Sequence, residues 1–278
     1  MLTVAAIEFL NAAPLMWGLA NDVRFRLDYT LPSACADALA AGAADLGVIP
    51  AIELARQPAL VGLGAIGVAS GAEAGAEVRS ILLVSRAGPE RIRHLALDAA
   101  SRTSAAMAQL LLRGRYGAEV ATVAASAADW RVSLASADGC LLIGDPALQL
   151  RQSGEAAAAG FDVRDLAVEW RAWTGLPFVF ALWGIRRPVW AAEQRWLHPR
   201  LLAALDEGLS QREALVAHWA PRLQLPPDVV RHYLTANVAY RLTPAHIAGL
   251  RRFLSLCAEC GLAPAGADAL ELVEEVTA

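Results

Sequence analysis

The sequence contains no lysine: every one of its 24 basic residues is arginine. Without a side-chain amine, Schiff-base chemistry and covalent attachment of pyridoxal phosphate are excluded. A Walker A phosphate loop is excluded too, because its lysine must reach the phosphates. Any anion this chain holds is held by arginine, hydroxyls or backbone N–H groups. The abundance of alanine beside the missing lysine fits a genomic base bias, and the exclusions stand either way. Histidine is also sparse. The five (94, 198, 218, 232 and 246) are scattered without metal-ligand spacing. No HExxH, no GxSxG and no catalytic-triad signature occurs. Cysteine is limited to Cys35, Cys140, Cys257 and Cys260. The single CxxC at 257–260 has neither a second pair nor a histidine pair, so it reads as ordinary reduced thiols.

Long apolar runs are missing as well. No stretch of about 18 residues escapes charge or turn punctuation, so no membrane span is expected. The first strand runs straight into Glu8 with no basic segment before it, and the expectation is a protein that stays in the cytoplasm. A net charge of −4 argues against a nucleic-acid binder, which would carry a basic face.

What is present is apolar material for sizeable cores: 56% of 278 residues, enough for one large or two modest domains. Through residue 185, short apolar runs alternate with amphipathic stretches. Strands are expected at 4–8, 26–30, 45–49, 79–85, 94–98, 119–123, 139–143 and 178–184. Helices are expected between them, at 13–20, 34–41, 52–56, 103–113, 127–134 and 146–150. After Pro188 the pattern turns helical, over 191–218, 227–236, 244–260 and 266–276. The class is α/β with a helical C-terminal segment. The strands at 79–85 and 178–184 bracket a middle block, as in a hinged two-lobe binding fold. Lobe one is then residues 1–85 plus 181–278, and lobe two 86–180, with a ligand cleft between them.

Gly62-Leu-Gly64-Ala-Ile-Gly67 spells GxGxxG but leads into a loop and then a strand. The dinucleotide motif needs a helix there, so a tightly packed strand is expected instead. Residues 97–104 are more informative. A strand ends, and Ser101, Arg102, Thr103 and Ser104 arrive at a helix start, where free N–H groups and the helix dipole favour an anion. A simple cap needs one hydroxyl, so three plus an arginine favour a carboxylate site. Ser33 opens another helix, and Asn11 puts an amide at a strand's carboxyl end. Asp145 either offers a carboxylate or caps its helix. The segment 170–178, with Thr174, Gly175 and Pro177, is either hinge packing or an aromatic wall.

Taken in order, FLN (9–11), LPS (31–33), DLGVIPAIE (45–53), RSILLVS (79–85), SRTS (101–104), IGD (143–145) and WTGLPFVFALW (173–183) form a set. It resembles the chorismate dehydratases of the futalosine route to menaquinone, from the first strand to the C-terminal helices. The resemblance implies the fold of type II periplasmic solute-binding proteins, used as a cytoplasmic lyase. It implies loss of water from chorismate to give 3-[(1-carboxyvinyl)oxy]benzoate, with no cofactor and no metal. By the same resemblance, Asn11 and Ser80 lie at the reacting ring. Ser33, Ser101, Arg102, Thr103 and Ser104 hold carboxylates, and Asp145, Thr174, Gly175 and Pro177 line the cleft. The base is either Asp145 or Asp98, or the substrate's own enolpyruvyl carboxylate, which is preferred because no His or Lys falls in a motif. The partner is a small molecule, and the chain is a monomer or a homodimer. Two other readings are weighed. The sister enzyme that cleaves cyclic dehypoxanthine futalosine has a threonine-rich loop and a His base not evident here. A transporter's solute-binding protein would carry a signal or lipidation segment.

Overall fold

The runs 46–50, 81–85 and 139–143 are buried at every position. Strands covered on both faces read this way, without alternation. The structure, a computed structural model, describes residues 1–71, 73, 75–97, 102–124 and 129–273. The first part of the chain runs β1 (Leu2–Ile7), α1 (Ala13–Trp17), β2 (Phe25–Thr30), α2 (Pro32–Ala40), β3 (Leu46–Pro50), α3 (Ala51–Arg56) and β4 (Leu60–Ser70). The middle holds β5 (Ile81–Ser85), β6 (His94–Leu97), α4 (Arg102–Leu110), β7 (Ala121–Ala124), α5 (Trp130–Ser136) and β8 (Gly139–Ile143). It continues through α6 (Gly144–Ser153), α7 (Glu155–Ala158), β9 (Asp162–Asp165) and α8 (Leu166–Thr174). The chain then returns through β10 (Val179–Arg186), α9 (Arg187–Ser210), α10 (Arg212–Leu223), α11 (Pro227–His232), β11 (Val238–Arg241), α12 (Pro244–Glu259) and β12 (Leu272–Val273).

These strands form two sheets. The first has the order β11-β4-β10-β3-β1-β2, with β12 beside β4; the second has the order β7-β6-β8-β5-β9. Each is built alike. Parallel strands (β2, β1 and β3; β7, β6 and β8) meet one antiparallel strand, β10 or β5, that arrives from the other half of the chain. The fold is two-lobed α/β, as expected. The boundary at 85 is corrected. Residues 81–85 pair with β8 and β9 and belong to the second sheet, because the chain has already crossed between lobes at 71–80. Three elements also differ in the C-terminal segment. The long helix expected at 191–218 is two, α9 and α10. The helix expected at 227–236 stops at His232, passes through a wide turn at Tyr233–Asn237 and becomes strand β11 on the edge of the first sheet. In place of a helix at 266–276 there is a short 3-10 turn and β12; residues beyond 273 lie outside the described part.

The two crossings are tied to each other. Ser70 N–H donates to Phe178 O (2.9 Å), and Phe178 N–H donates to Ser70 Oγ (3.0 Å). The buried ring of His246 adds a contact to Ser70 O at 3.0 Å. Beside them, Trp170, 0% exposed, packs edge-on against Trp173, Phe178 and Phe253. The aromatic segment is therefore hinge packing. Ser70→Ala would leave the buried Phe178 N–H unpaired. It is expected to lower stability by about 1–3 kcal/mol in urea unfolding; an unchanged midpoint would show that the crossing does not depend on this bond.

Candidate active site

A cleft of about 470 Å³, including its open mouth, lies between the lobes. Lobe one contributes Ile7, Phe9 and Asn11 from the end of β1, Pro50 from the end of β3, and Phe180 from β10. The facing lobe contributes Ile81, Ile143, Gly144 and the first turn of α4, Arg102 to Ser104. Ligands of open α/β sheets sit at carboxyl ends of parallel strands, and this cleft joins such ends from both sheets. Three helix starts also meet it: Pro32 at α2, Arg102–Ser104 at α4 and Gly144 at α6. First turns carry N–H groups without intrahelical partners and the positive end of the helix dipole, so the cleft favours an anion.

Asn11 sits in a 3-10 turn, Leu10–Ala12, that follows β1 directly. The turn is held from the other lobe: Leu10 N–H donates to Asp145 Oδ1 at 3.1 Å. Phe9 packs onto Gly144, whose φ of +65° and whose space, with Phe9 ring carbons 3.0 Å from where a Cβ would stand, admit only glycine. Ser80 is 1% exposed and pinned at both ends. Its carbonyl accepts from Gly144 N–H (2.8 Å), and its hydroxyl accepts from Tyr233 (2.8 Å). The Asn11 side chain faces the same phenol oxygen. Thus Asn11 and Ser80 are brought together, with a tyrosine between them that no motif had marked.

Arg102 borders the cleft, but its terminal nitrogens are committed. One donates to Glu53 Oε2 (3.1 Å) and the other to both oxygens of Asp37 (2.9 and 2.8 Å). Burial works against its charge, but the two carboxylates outweigh that and raise its pKa. Glu53, 5% exposed, also pairs with Arg56 at 2.8 Å. In this arrangement its charge ties lobe two to lobe one rather than standing free for a ligand carboxylate. Thr103 does likewise, its hydroxyl accepting Ile52 N–H across the cleft at 3.2 Å, where α3 has no cap of its own. Ser104 is buried and borders the cleft.

Other expected residues lie elsewhere. Ser33 follows Pro32 in α2 without bordering the cleft. Thr174 accepts Leu176 N–H and donates to Trp170 O, closing α8, and Gly175 ends that helix at φ +76°. Pro177 lies against Gly249 of α12. These three belong to the return crossing, not to the cleft wall. Ser101 and Asp98 lie outside the described residues. The contributions of Glu53, Asp37 and Tyr233 were not marked by sequence reasoning. Glu53 stood within a quoted motif, but nothing local named its partner.

Asp145, half-buried, follows the cleft residue Gly144, and its carboxylate is engaged by Leu10 N–H. Burial holds its carboxyl up to about 6, against the pull of the Leu10 N–H. Between about pH 4 and 6 the folded chain keeps a proton that the unfolded chain has released. Ionisation of Asp145 therefore subtracts stability as pH rises through that window, and the loss is complete above it. Asp145→Asn keeps an acceptor for Leu10 and has no charge to bury. Relative to the parent it is expected to gain about 1–2 kcal/mol between roughly pH 4.5 and 7.5. Urea unfolding at both pH values checks this, and an equal offset at both would show the carboxyl to be ordinary.

Among the described residues no group of three His, Cys, Asp or Glu side chains is gathered where a metal could bind, and no helix is long and apolar enough to cross a membrane. Cys257 and Cys260 are free; burial pushes the Cys257 thiol up to about 12.

A family model for menaquinone biosynthesis matches residues 2–259. The chain belongs to the menaquinone biosynthesis family. Within that range lie the second lobe, most of the first and every cleft residue named above. A curated relative, the chorismate dehydratase of Thermus thermophilus, is 31% identical over 193 residues, covering 63% of this chain and 67% of the relative. Protein AF1704 of Archaeoglobus fulgidus superposes with a TM-score of 0.72 at 16% identity, covering 94% of this chain and 98% of that one. The alkanesulfonate-binding protein SsuA of Xanthomonas axonopodis pv. citri, solved with MOPS, gives 0.66 at 16% identity, covering 95% and 94%. This menaquinone biosynthesis family member thus has the periplasmic-binding-protein fold.

Proposed function

We propose that this chain is a chorismate dehydratase, a lyase that removes water from chorismate to give 3-[(1-carboxyvinyl)oxy]benzoate at the head of the futalosine route to menaquinone. The observation that carries the reading is the meeting of three helix first turns on one cleft whose side-chain amide is Asn11. Chorismate is a dianion, and two carboxylates need two such sites when no lysine is present and Arg102 is already paired. Membership of the menaquinone biosynthesis family and the likeness to a chorismate dehydratase support it independently.

The elimination removes the ring C3 proton and the C4 hydroxyl and leaves an aromatic ring. It is redox-neutral, one water lost per substrate, and so balances without a cofactor. With the Asp145 carboxylate engaged by Leu10, the substrate's enolpyruvyl carboxylate is the base. It takes the C3 proton, the electron pair forms the new ring double bond as the C4–O bond breaks, and the proton passes to the departing hydroxyl, which leaves as water. Asn11 and Ser80 orient the reacting ring, and the first turn of α4 with Ser104 receives a carboxylate. The lobes divide by sheet, residues 1–70 with 179–273 against 81–174. They close about the crossings at 71–80 and 175–178 to exclude water.

Purified protein incubated with chorismate is expected to develop the absorbance of the aromatic ether, with the product confirmed by mass. No change with chorismate, together with turnover of a cyclic futalosine derivative, would move the chain to the sister reaction.

A further inference from the structure

Tyr233 is a large polar side chain set between the two residues assigned to the reacting ring, and it comes from the far end of the chain. It is 1% exposed and opens the wide i→i+5 turn Tyr233–Asn237, a geometry frequent at functional sites. The same turn reaches back to the crossing, where Asn237 Nδ2 donates to Glu77 O at 2.8 Å. Arg79, next to Ser80, is held at φ +63°, and its N–H is fixed by Asp165 Oδ2 at 2.6 Å. Arginine in this left-handed region is strained. The backbone around Ser80 is thus locked from several sides, which is what a fixed hydroxyl requires.

A phenol has one proton to give. Tyr233 gives it to Ser80 Oγ at 2.8 Å, while the Asn11 side chain faces the phenol oxygen from the other side. Ser80 has then accepted its bond, and its own proton has no acceptor among the described residues. Ser80 does not itself border the cleft, but Gly144, bonded to its carbonyl, and Asn11, across the Tyr233 phenol, both do. We propose that Tyr233 is a positioning residue that holds the Ser80 hydroxyl as a donor toward the ligand and keeps the Asn11 amide in register with it. Tyr233 touches no substrate atom; it acts through Ser80 and Asn11. The inference rests on the elimination reading above.

The test compares chorismate turnover by the full chain, Tyr233→Phe, Ser80→Ala and the double variant. Tyr233→Phe keeps the ring and removes only the donor. Its kcat is expected to fall about 10–100-fold with KM within about threefold, and the double variant is expected to be no slower than Ser80→Ala. Tyr240→Phe is the structural control: Tyr240 is also buried, its hydroxyl has no hydrogen-bond partner among the described residues, and its removal leaves kcat unchanged. An unchanged kcat in Tyr233→Phe, or losses that multiply in the double variant, overturns the positioning role while the dehydratase reading stands. No turnover by the unaltered chain overturns both. Should Tyr233→Phe fail to fold, a structure of the unaltered chain with the aromatic product bound decides. A ligand oxygen within hydrogen-bond distance of Ser80 Oγ, with the Tyr233 bond kept, supports the role, and a Ser80 hydroxyl without a ligand partner overturns it.

Discussion

Asn11→Ala is expected to lower kcat by about 10²–10³ while the affinity for the aromatic product changes by no more than about threefold. The asymmetry follows from where Asn11 stands. It is the side-chain amide on the cleft wall, set on a turn anchored by the Leu10–Asp145 bond. In the proposed reading, ligand charge is received elsewhere, at the helix first turns. Removing the amide takes away a group aimed at the ring, where charge moves during proton removal, and leaves the carboxylate sites intact. Loss of a preorganised donor of this kind is felt in the transition state more than in the bound substrate. Steady-state kinetics with chorismate and calorimetric titration with the product separate the two quantities. A variant that binds product tenfold more weakly and keeps kcat would show Asn11 to be a binding group only.

Arg102→Met is expected to lower kcat/KM by about 10²-fold, mainly through KM. Its guanidinium joins Asp37 of α2 and Glu53 of α3 to the start of α4, so its loss removes a tie between the lobes. Glu53 keeps Arg56, so the fold survives, but the lobes lose this ionic contact. The partners distinguish this role from direct contact with the ligand. If Arg102 ties the lobes, Asp37→Asn reproduces part of the loss and adds little to Arg102→Met. If Arg102 instead holds a substrate carboxylate, Asp37→Asn frees it and KM falls. The first pattern is expected, and the second would return Arg102 to the ligand.

Much of this site was legible locally. Asn11 follows an apolar run that ends at a polar residue, and strand ends are where α/β ligands collect. Residues 102–104 follow a strand and precede a 3.6-periodic stretch, and their side chains do open a helix on the cleft. What could not be read is who partners whom. Thr103 reads as a helix-start hydroxyl in sequence, yet it caps a different helix, across the cleft, 51 residues away. The aromatic segment 170–178 could pack or face a ligand until Phe253 of α12 arrived to fill in around Trp170. The strand 81–85 could belong to either lobe by its apolar content, and only pairing with β8 and β9 assigned it.

The sequence by itself determined the chemical inventory and the local elements. There is no amine to hold an anion, so helix starts and hydroxyls must, and the short buried runs and capped helices that supply them depend on neighbours within a few residues. Only the tertiary structure decided which of those groups remain free. A donor has a fixed number of protons, and burial makes an unpaired one costly. Each is therefore taken by whatever partner the fold brings near, however distant in sequence. Arg102 was taken by Asp37 and Glu53, while Thr103 and Ser80 accept from Ile52 and Tyr233, which leaves the helix starts, Asn11 and the Ser80 proton for a ligand.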